Sequence, residues 1–168
     1  MAAFFFLHLA LDYKNMNEAL FQFIWQYSLY SPFALQTPDG EPLTVIHCGK
    51  LNRDAGPDFL EAKVKVGNTI LVGNVEMHIK SSDWLKHGHQ HDPAYKHLIL
   101  HVVYEDDAPG AAGDTPVLVL KDHIPGNILP KYAGLMQAPQ KLPCGKQHLN
   151  VKEITKEGWL SRLLAERW

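Results

Sequence analysis

Asp58, Glu76 and His78 are the residues whose types and spacing could do chemistry together. They sit in a stretch running from Gly56-Pro57-Asp58-Phe59 to Gly73-Asn74-Val75-Glu76-Met77-His78, with Gly67-Asn68 between two β-like runs. In the first run Asp58, Leu60, Ala62, Val64 and Val66 alternate with Phe59, Glu61, Lys63 and Lys65. In the second, Ile70, Val72, Asn74, Glu76 and His78 share a face. A Gly-Asn pair between such runs signals a hairpin. Matching the apolar faces puts Val64 opposite Ile70, Ala62 opposite Val72 and Asp58 opposite Glu76, with His78 one step beyond. That register requires an odd loop of about three residues, because a one-residue slip sends every side chain to the other face. A two-residue loop would instead pair Asp58 with Met77.

Opposed cross-strand residues have Cβ atoms about 5 Å apart, so the two carboxylates repel. A hard divalent cation, Mg²⁺ or Mn²⁺, relieves that repulsion. Solvation at a strand end, or pairing with Lys63, Lys80 or His78, is the plainer alternative.

The elements that must position these residues follow from periodicity. Asn17 caps an expected helix to about Tyr30, with Leu20, Phe21, Ile24, Trp25 and Leu29 as its apolar stripe and Glu18 in its first turn. Thr37-Pro38-Asp39-Gly40 is a turn. Leu43–His47 is a strand, and 49–56 is a polar loop carrying Asn52, Arg53 and Asp54. After the hairpin, Asp92-Pro93 starts a short helix through His97. Leu98–Tyr104 is a nearly continuous apolar run, hence a buried strand. Val117–Leu120 is a further strand, 125–143 is irregular or weakly helical, and Val151–Trp168 has helical spacing. This order implies an α/β or α+β fold, a mixed sheet with helices packed on it.

Composition bounds the function. The 168 residues, 46% hydrophobic and 20% charged, suit one globular domain or a piece of a larger one. A net charge of −2 excludes a general nucleic-acid coat and leaves only a local contact patch. Cys48 and Cys144 form neither a metal-ligand spacing nor a disulfide framework, as expected for the cytoplasm. The apolar segment 2–11 is too short to span a bilayer and lacks a basic leader region. It reads as an extra strand or as a translated upstream segment, with Met16 the original start; the second is favoured. The expected division is therefore 1–15 as an extension, 16–124 as the α/β core, and 125–168 as an irregular segment leading into a helical region.

Longer motifs carry a resemblance. Asp39-Gly40-Glu41-Pro42, Leu51-Asn52-Arg53-Asp54-Ala55-Gly56-Pro57-Asp58-Phe59, Gly73-Asn74-Val75-Glu76-Met77-His78, Ser82-Asp83-Trp84, His87-Gly88-His89, Asp92-Pro93-Ala94-Tyr95 and Leu100-His101-Val102-Val103-Tyr104 resemble the uncharacterised bacterial family known as domain of unknown function 2851. Members of that family look longer, so the chain reads as an N-terminal fragment whose partner could be the missing C-terminal region. More remotely, Pro57-Asp58 and Glu76-Met77-His78 resemble the PD-(D/E)XK nuclease superfamily and its restriction-endonuclease-like core.

The second resemblance implies a metal-dependent phosphodiesterase acting on nucleic acid, with Asp58 and Glu76 holding Mg²⁺ or Mn²⁺ and His78 orienting or activating water. His78 stands where that superfamily has Lys, and His carries no fixed charge at neutral pH. His87, His89 and Asp92 become contacts for phosphate or a second metal, or else a solvated loop with an N-cap. Asn52 and Arg53 become cleft residues, Arg53 as a phosphate fork. His101 reads as a hydrogen-bonded core histidine. Two alternatives stand beside the nuclease: a nuclease fold that binds nucleic acid or protein without cutting, and a histidine-cluster or cupin-like metal-binding protein. Metal preference separates them, since carboxylates favour Mg²⁺ or Mn²⁺ and imidazoles favour Zn²⁺, Ni²⁺ or Fe²⁺.

Overall fold

Alternating burial along two strands explains the centre of the molecule. A computed structural model describes residues 16–136 and 151–166. The expected mixed α+β fold is present, a six-stranded sheet flanked by helices. The chain divides into two compact units, one reaching Leu129 and one beginning at Pro130.

In the first unit, helix α1 (Glu18–Gln26) starts where Asn17 Oδ1 accepts from Leu20 N at 2.9 Å. It buries Leu20, Phe21, Ile24 and Trp25. It stops short of the expected Tyr30 because Ser28 turns left-handed, at φ 50°, and Leu29 leaves the buried stripe. Strand β1 (Leu43–His47) falls where the sequence places it. A two-residue strand β2 (Lys50–Leu51) interrupts the expected loop. Then come β3 (Phe59–Val66), β4 (Thr69–Lys80), a short helix α2 (Asp83–His87), 3₁₀ turns over His89–His91 and Pro93–His97, β5 (Leu98–Glu105) and β6 (Val117–Val119).

The strand order is β1-β3-β4-β5-β6, with β2 also on β3. β1, β3 and β4 are mutually antiparallel along that path, whereas β5 and β6 join in parallel. The first half of β4 pairs with β3 and its second half with β5, so Val75, Glu76, Met77 and His78 are buried consecutively. Gly73 marks the change of partner. A Cβ there would lie 2.5 Å from His97 O and 2.6 Å from Ile99 Cγ2, so only glycine lets β5 approach. The rings of Phe21 and Tyr104 meet edge-on on one face of the sheet, at 6.1 Å, and those of Trp84 and His101 meet on the other, at 5.3 Å. α1 and α2 therefore flank opposite faces.

The hairpin differs from its expected register in an instructive way. Val66 pairs with Thr69, so the loop is the two-residue Gly67-Asn68, and Val64 faces Leu71 rather than Ile70. Ile70 and Val72 lie on the outer face, 54% and 67% exposed. Continued unbroken, that register would set Asp58 against Met77. A β-bulge between Phe59 and Ala62, with Glu61 at φ 57°, shifts it by one, and Phe59 pairs with Val75. The next position outward on each strand is Asp58 and Glu76. Two departures from the expected geometry, the shorter loop and the bulge, cancel.

The second unit, within its described residues, holds the end of helix α3 (Ile128–Met136) and helix α4 (Glu153–Glu166). Ile154, Trp159, Leu160, Leu163 and Leu164 are all exposed on α4. Residues 1–15, 137–150 and 167–168 lie outside the described residues, and with them the end of the expected irregular segment and Cys144.

Candidate metal and catalytic site

Asp58 and Glu76 cap each other's strands. Asp58 N donates to Glu76 Oε2 at 3.1 Å, and Met77 N donates to Asp58 Oδ2 at 3.0 Å. The second Asp58 oxygen accepts from Gln22 Nε2 of α1 at 2.8 Å. Both oxygens of Asp58 are thus engaged by hydrogen-bond donors. Glu76 keeps one oxygen turned the other way: Oε1 lies 3.5 Å from His78 Nε2 and 3.3 Å from His89 Nε2.

Histidines gather on that side. His78 Nε2 lies 3.1 Å from His87 Nδ1, and His78 Nδ1 lies 2.9 Å from His101 Nε2. One ring nitrogen from each of His78, His87 and His89 falls within 4.8 Å of the other two. The sequence accounts for this locally. His78 follows Glu76 by two positions and shares its strand face. The parallel register places His101 beside Glu76. Gly88 ends α2 at φ 74°, a left-handed conformation that glycine adopts freely, and so reverses the chain between His87 and His89. Ser81 and Ser82 tether this corner to the end of β5, with Ser82 N donating to Asp107 Oδ1 at 2.9 Å. His78 and His101 are fully enclosed, whereas His87 is exposed, so the cluster opens to solvent at one ring. Tyr95 packs on His89 with ring centroids 4.1 Å apart. Beyond them a cleft of about 420 Å³ is lined by Trp84, His89, Asp92, Tyr95, Lys96 and Thr115.

Burial sets the electrostatics. It pushes Asp58 up to about 6 against two hydrogen bonds that favour its charged form. Burial, together with the charge on Asp58, pushes Glu76 up to about 8. Burial and the neighbouring imidazoles pull His78 down to about 3, and burial pulls His101 down to about 4. His89 is lowered for the same reason. The rings of His78, His89 and His101 are therefore neutral at physiological pH, the state in which imidazole offers a lone pair.

The other expected site residues divide. Asn52 builds the loop: its Oδ1 accepts from Asp54 N at 3.0 Å, its Nδ2 donates to Pro57 O at 3.0 Å, and its backbone N donates to Asp58 O at 2.7 Å. It positions Asp58 and has no amide turned toward a cleft. Arg53 is exposed in that loop. Asp92 caps the 3₁₀ turn by accepting from Ala94 N at 2.8 Å and also lines the cleft. His101 is a hydrogen-bonded core residue, and it is also the partner of His78. Gln22, Trp84 and Tyr95 escaped the sequence reading. Tyr95 and Trp84 stand within the quoted motifs, which offered the only available signal, and Gln22 had none.

A family model described as Protein of unknown function (DUF2851) matches residues 18–168. No curated protein and no solved structure matches the chain.

Proposed function

The chain belongs to the DUF2851 family, whose function is not known, and on the chemistry of its site we propose that it is a metal-dependent phosphodiester hydrolase acting on nucleic acid. The observation that carries this reading is the reciprocal pair Asp58–Glu76. Asp58, half-buried just before β3, and Glu76, buried in β4, meet where the sheet changes from antiparallel to parallel, beside a group of histidines. Buried acids placed against each other with raised pKa values are characteristic of functional sites.

A divalent ion held at Glu76 Oε1 would supply Lewis acidity, polarising a phosphoryl oxygen and making a bound water acidic. The chain's own residues do the rest. Glu76 Oε1 is the carboxylate oxygen turned toward the histidines. Asp58, held by Gln22 and Met77 N, fixes the end of β3 and adds negative charge without a free oxygen of its own. His78 is too weak a base to keep a proton at neutral pH, so its role is to orient. Arg53 on the loop before Asp58, and Lys96 at the cleft, are exposed cations suited to phosphate oxygens.

The test is cleavage of single- and double-stranded DNA and RNA by the 168-residue chain, with Mn²⁺ and separately with Zn²⁺. Wild type should cut at least one of these substrates. Glu76→Ala should lose activity by roughly two orders of magnitude or more, as expected for loss of a principal charged group. Asp58→Ala should also be strongly impaired. Absence of cleavage by folded wild type under every condition would falsify the hydrolase reading. Retained binding of nucleic acid in that case would assign the fold a binding role.

A further inference from the structure

The hydrolase reading leaves the ion undefined, and an oxygen-only magnesium site does not suit the donors present. Asp58 has both oxygens occupied by N–H donors, and only one oxygen of Glu76 is turned away from the backbone. Mg²⁺ favours carboxylate, carbonyl and water oxygens, whereas imidazole suits Zn²⁺, Co²⁺, Ni²⁺ or Fe²⁺.

We propose that His78 Nε2, His87 Nδ1, His89 Nε2 and Glu76 Oε1 form a binding site for one borderline transition-metal ion of the zinc class. Three separations within this set are 3.1, 3.5 and 3.3 Å. In a tetrahedral site with metal–ligand bonds of about 2.0–2.2 Å, neighbouring donors stand about 3.3–3.6 Å apart. These three pairs already sit near that spacing, and one nitrogen each of His78, His87 and His89 lies within 4.8 Å of the other two, with Glu76 beside His78 and His89. His89 Nε2 is buried without a hydrogen-bond partner, 3.3 Å from Glu76 Oε1. A buried polar atom so placed is costly unless something satisfies it.

The surroundings agree. Ligating histidines ordinarily give their other ring nitrogen to a neighbour that fixes the tautomer. His78 Nδ1 does so with His101 Nε2 at 2.9 Å. His101 is therefore a positioning residue outside the ligand set. Trp84, 5.3 Å from both His89 and His101, and Tyr95 against His89 wall the site with aromatic rings. The exposed ring of His87 supplies the way in. This ligand set extends the hydrolase reading but does not depend on cleavage being found.

The experiment is titration of chelator-stripped full chain with Co²⁺, followed by visible absorption and by competition with Zn²⁺ and Mg²⁺. One Co²⁺ per chain is expected, with the intense visible bands of four-coordinate cobalt, displaced by equimolar Zn²⁺ and unaffected by millimolar Mg²⁺. His87→Ala, at an exposed position that the fold tolerates, and His89→Ala should each weaken binding at least about tenfold. His101→Ala should weaken it about 10- to 100-fold, in the range of a lost orienting partner. His97→Ala and His123→Ala, outside the cluster, should bind as wild type does. The proposal is overturned if wild type with native circular dichroism takes up no cobalt. It is equally overturned if His87→Ala and His89→Ala bind unchanged, or if Mg²⁺ competes on equal terms. Cobalt binding without nuclease activity would sink only the hydrolase reading. Cleavage that survives both histidine substitutions would sink only the assignment of this ion to the hydrolase.

Discussion

At the scale of single residues, Glu61 marks the bulge at which the two acids come into register. It occupies the left-handed region at φ 57°, where a side chain is strained and glycine is not. The bulge it forms converts a register that would set Asp58 against Met77 into one that sets it against Glu76. Replacing Glu61 by glycine should raise the thermal midpoint and leave cobalt affinity unchanged, because its ion pair with Lys50 is exposed and contributes little. Deleting Glu61 removes the extra residue itself, so the ladder should run on regularly with Phe59 still against Val75 and Asp58 still against Glu76. Cleavage and cobalt affinity should therefore be kept in the deletion as well. Circular dichroism, activity and cobalt titration on both variants check these outcomes. Loss of cleavage by a folded deletion variant would show that the register of β3 is not what places Asp58.

At the scale of elements, β4 does two jobs along its 12 residues. Its first half is the outer arm of a hairpin, exposing Ile70 and Val72, and its second half is a central strand buried on both faces. Gly73 sits at the seam with His97 O where its Cβ would be. Gly73→Ala must push β5 away or shift the backbone, and overpacking of this kind costs about 1–3 kcal/mol. Chemical denaturation should show that loss, and cobalt affinity should fall with it, because β5 carries His101. A fully stable, fully metal-binding Gly73→Ala protein would contradict this account of the seam. The helical corner is the second element of consequence. α2 is only five residues long, but Gly88 and the Ser81–Ser82 tether hold His87 and His89 on the same side.

For the molecule as a whole, α1 is the brace. Trp25 stacks on Tyr30 at 5.7 Å, Trp25 Nε1 donates to Cys48 O at 3.0 Å, and Gln22 reaches Asp58. Burial pushes the Tyr30 hydroxyl up to about 12 from a usual 10. Tyr30 therefore holds its proton more tightly when folded. Its stabilising contribution is complete below pH 10 and is lost as pH rises from 10 toward 12. Tyr30→Phe, which cannot ionise, should move the alkaline unfolding limb to higher pH, and an unshifted limb would show that Tyr30 ionises freely in the native state. The second unit gives a different global property. α4 exposes Trp159, Leu160, Leu163 and Leu164 on one short helix, apolar surface of the kind that contacts other surfaces. Among the described residues, no helix is long and apolar enough to cross a membrane.

Periodicity and residue type by themselves determined most of the elements: the Asn17 cap, β1, the hairpin, the Asp92 cap and the buried run of β5 all carry local signals. They also singled out Asp58, Glu76 and His78, because acids and an imidazole at the ends of apolar runs are conspicuous, whereas His87 and His89 entered through the resemblance. Alternation could not reveal a bulge, since one extra residue leaves the run looking regular while flipping every face beyond it. Nor could it show which oxygen of Glu76 is free, which depends on the backbone donor opposite. His101 joined the cluster only through the parallel pairing of β4 with β5, and Gln22 met Asp58 across 36 positions of sequence. Local chemistry is written in neighbouring residues, but the direction in which a donor points is decided by strands and helices that come together only when the chain closes on itself.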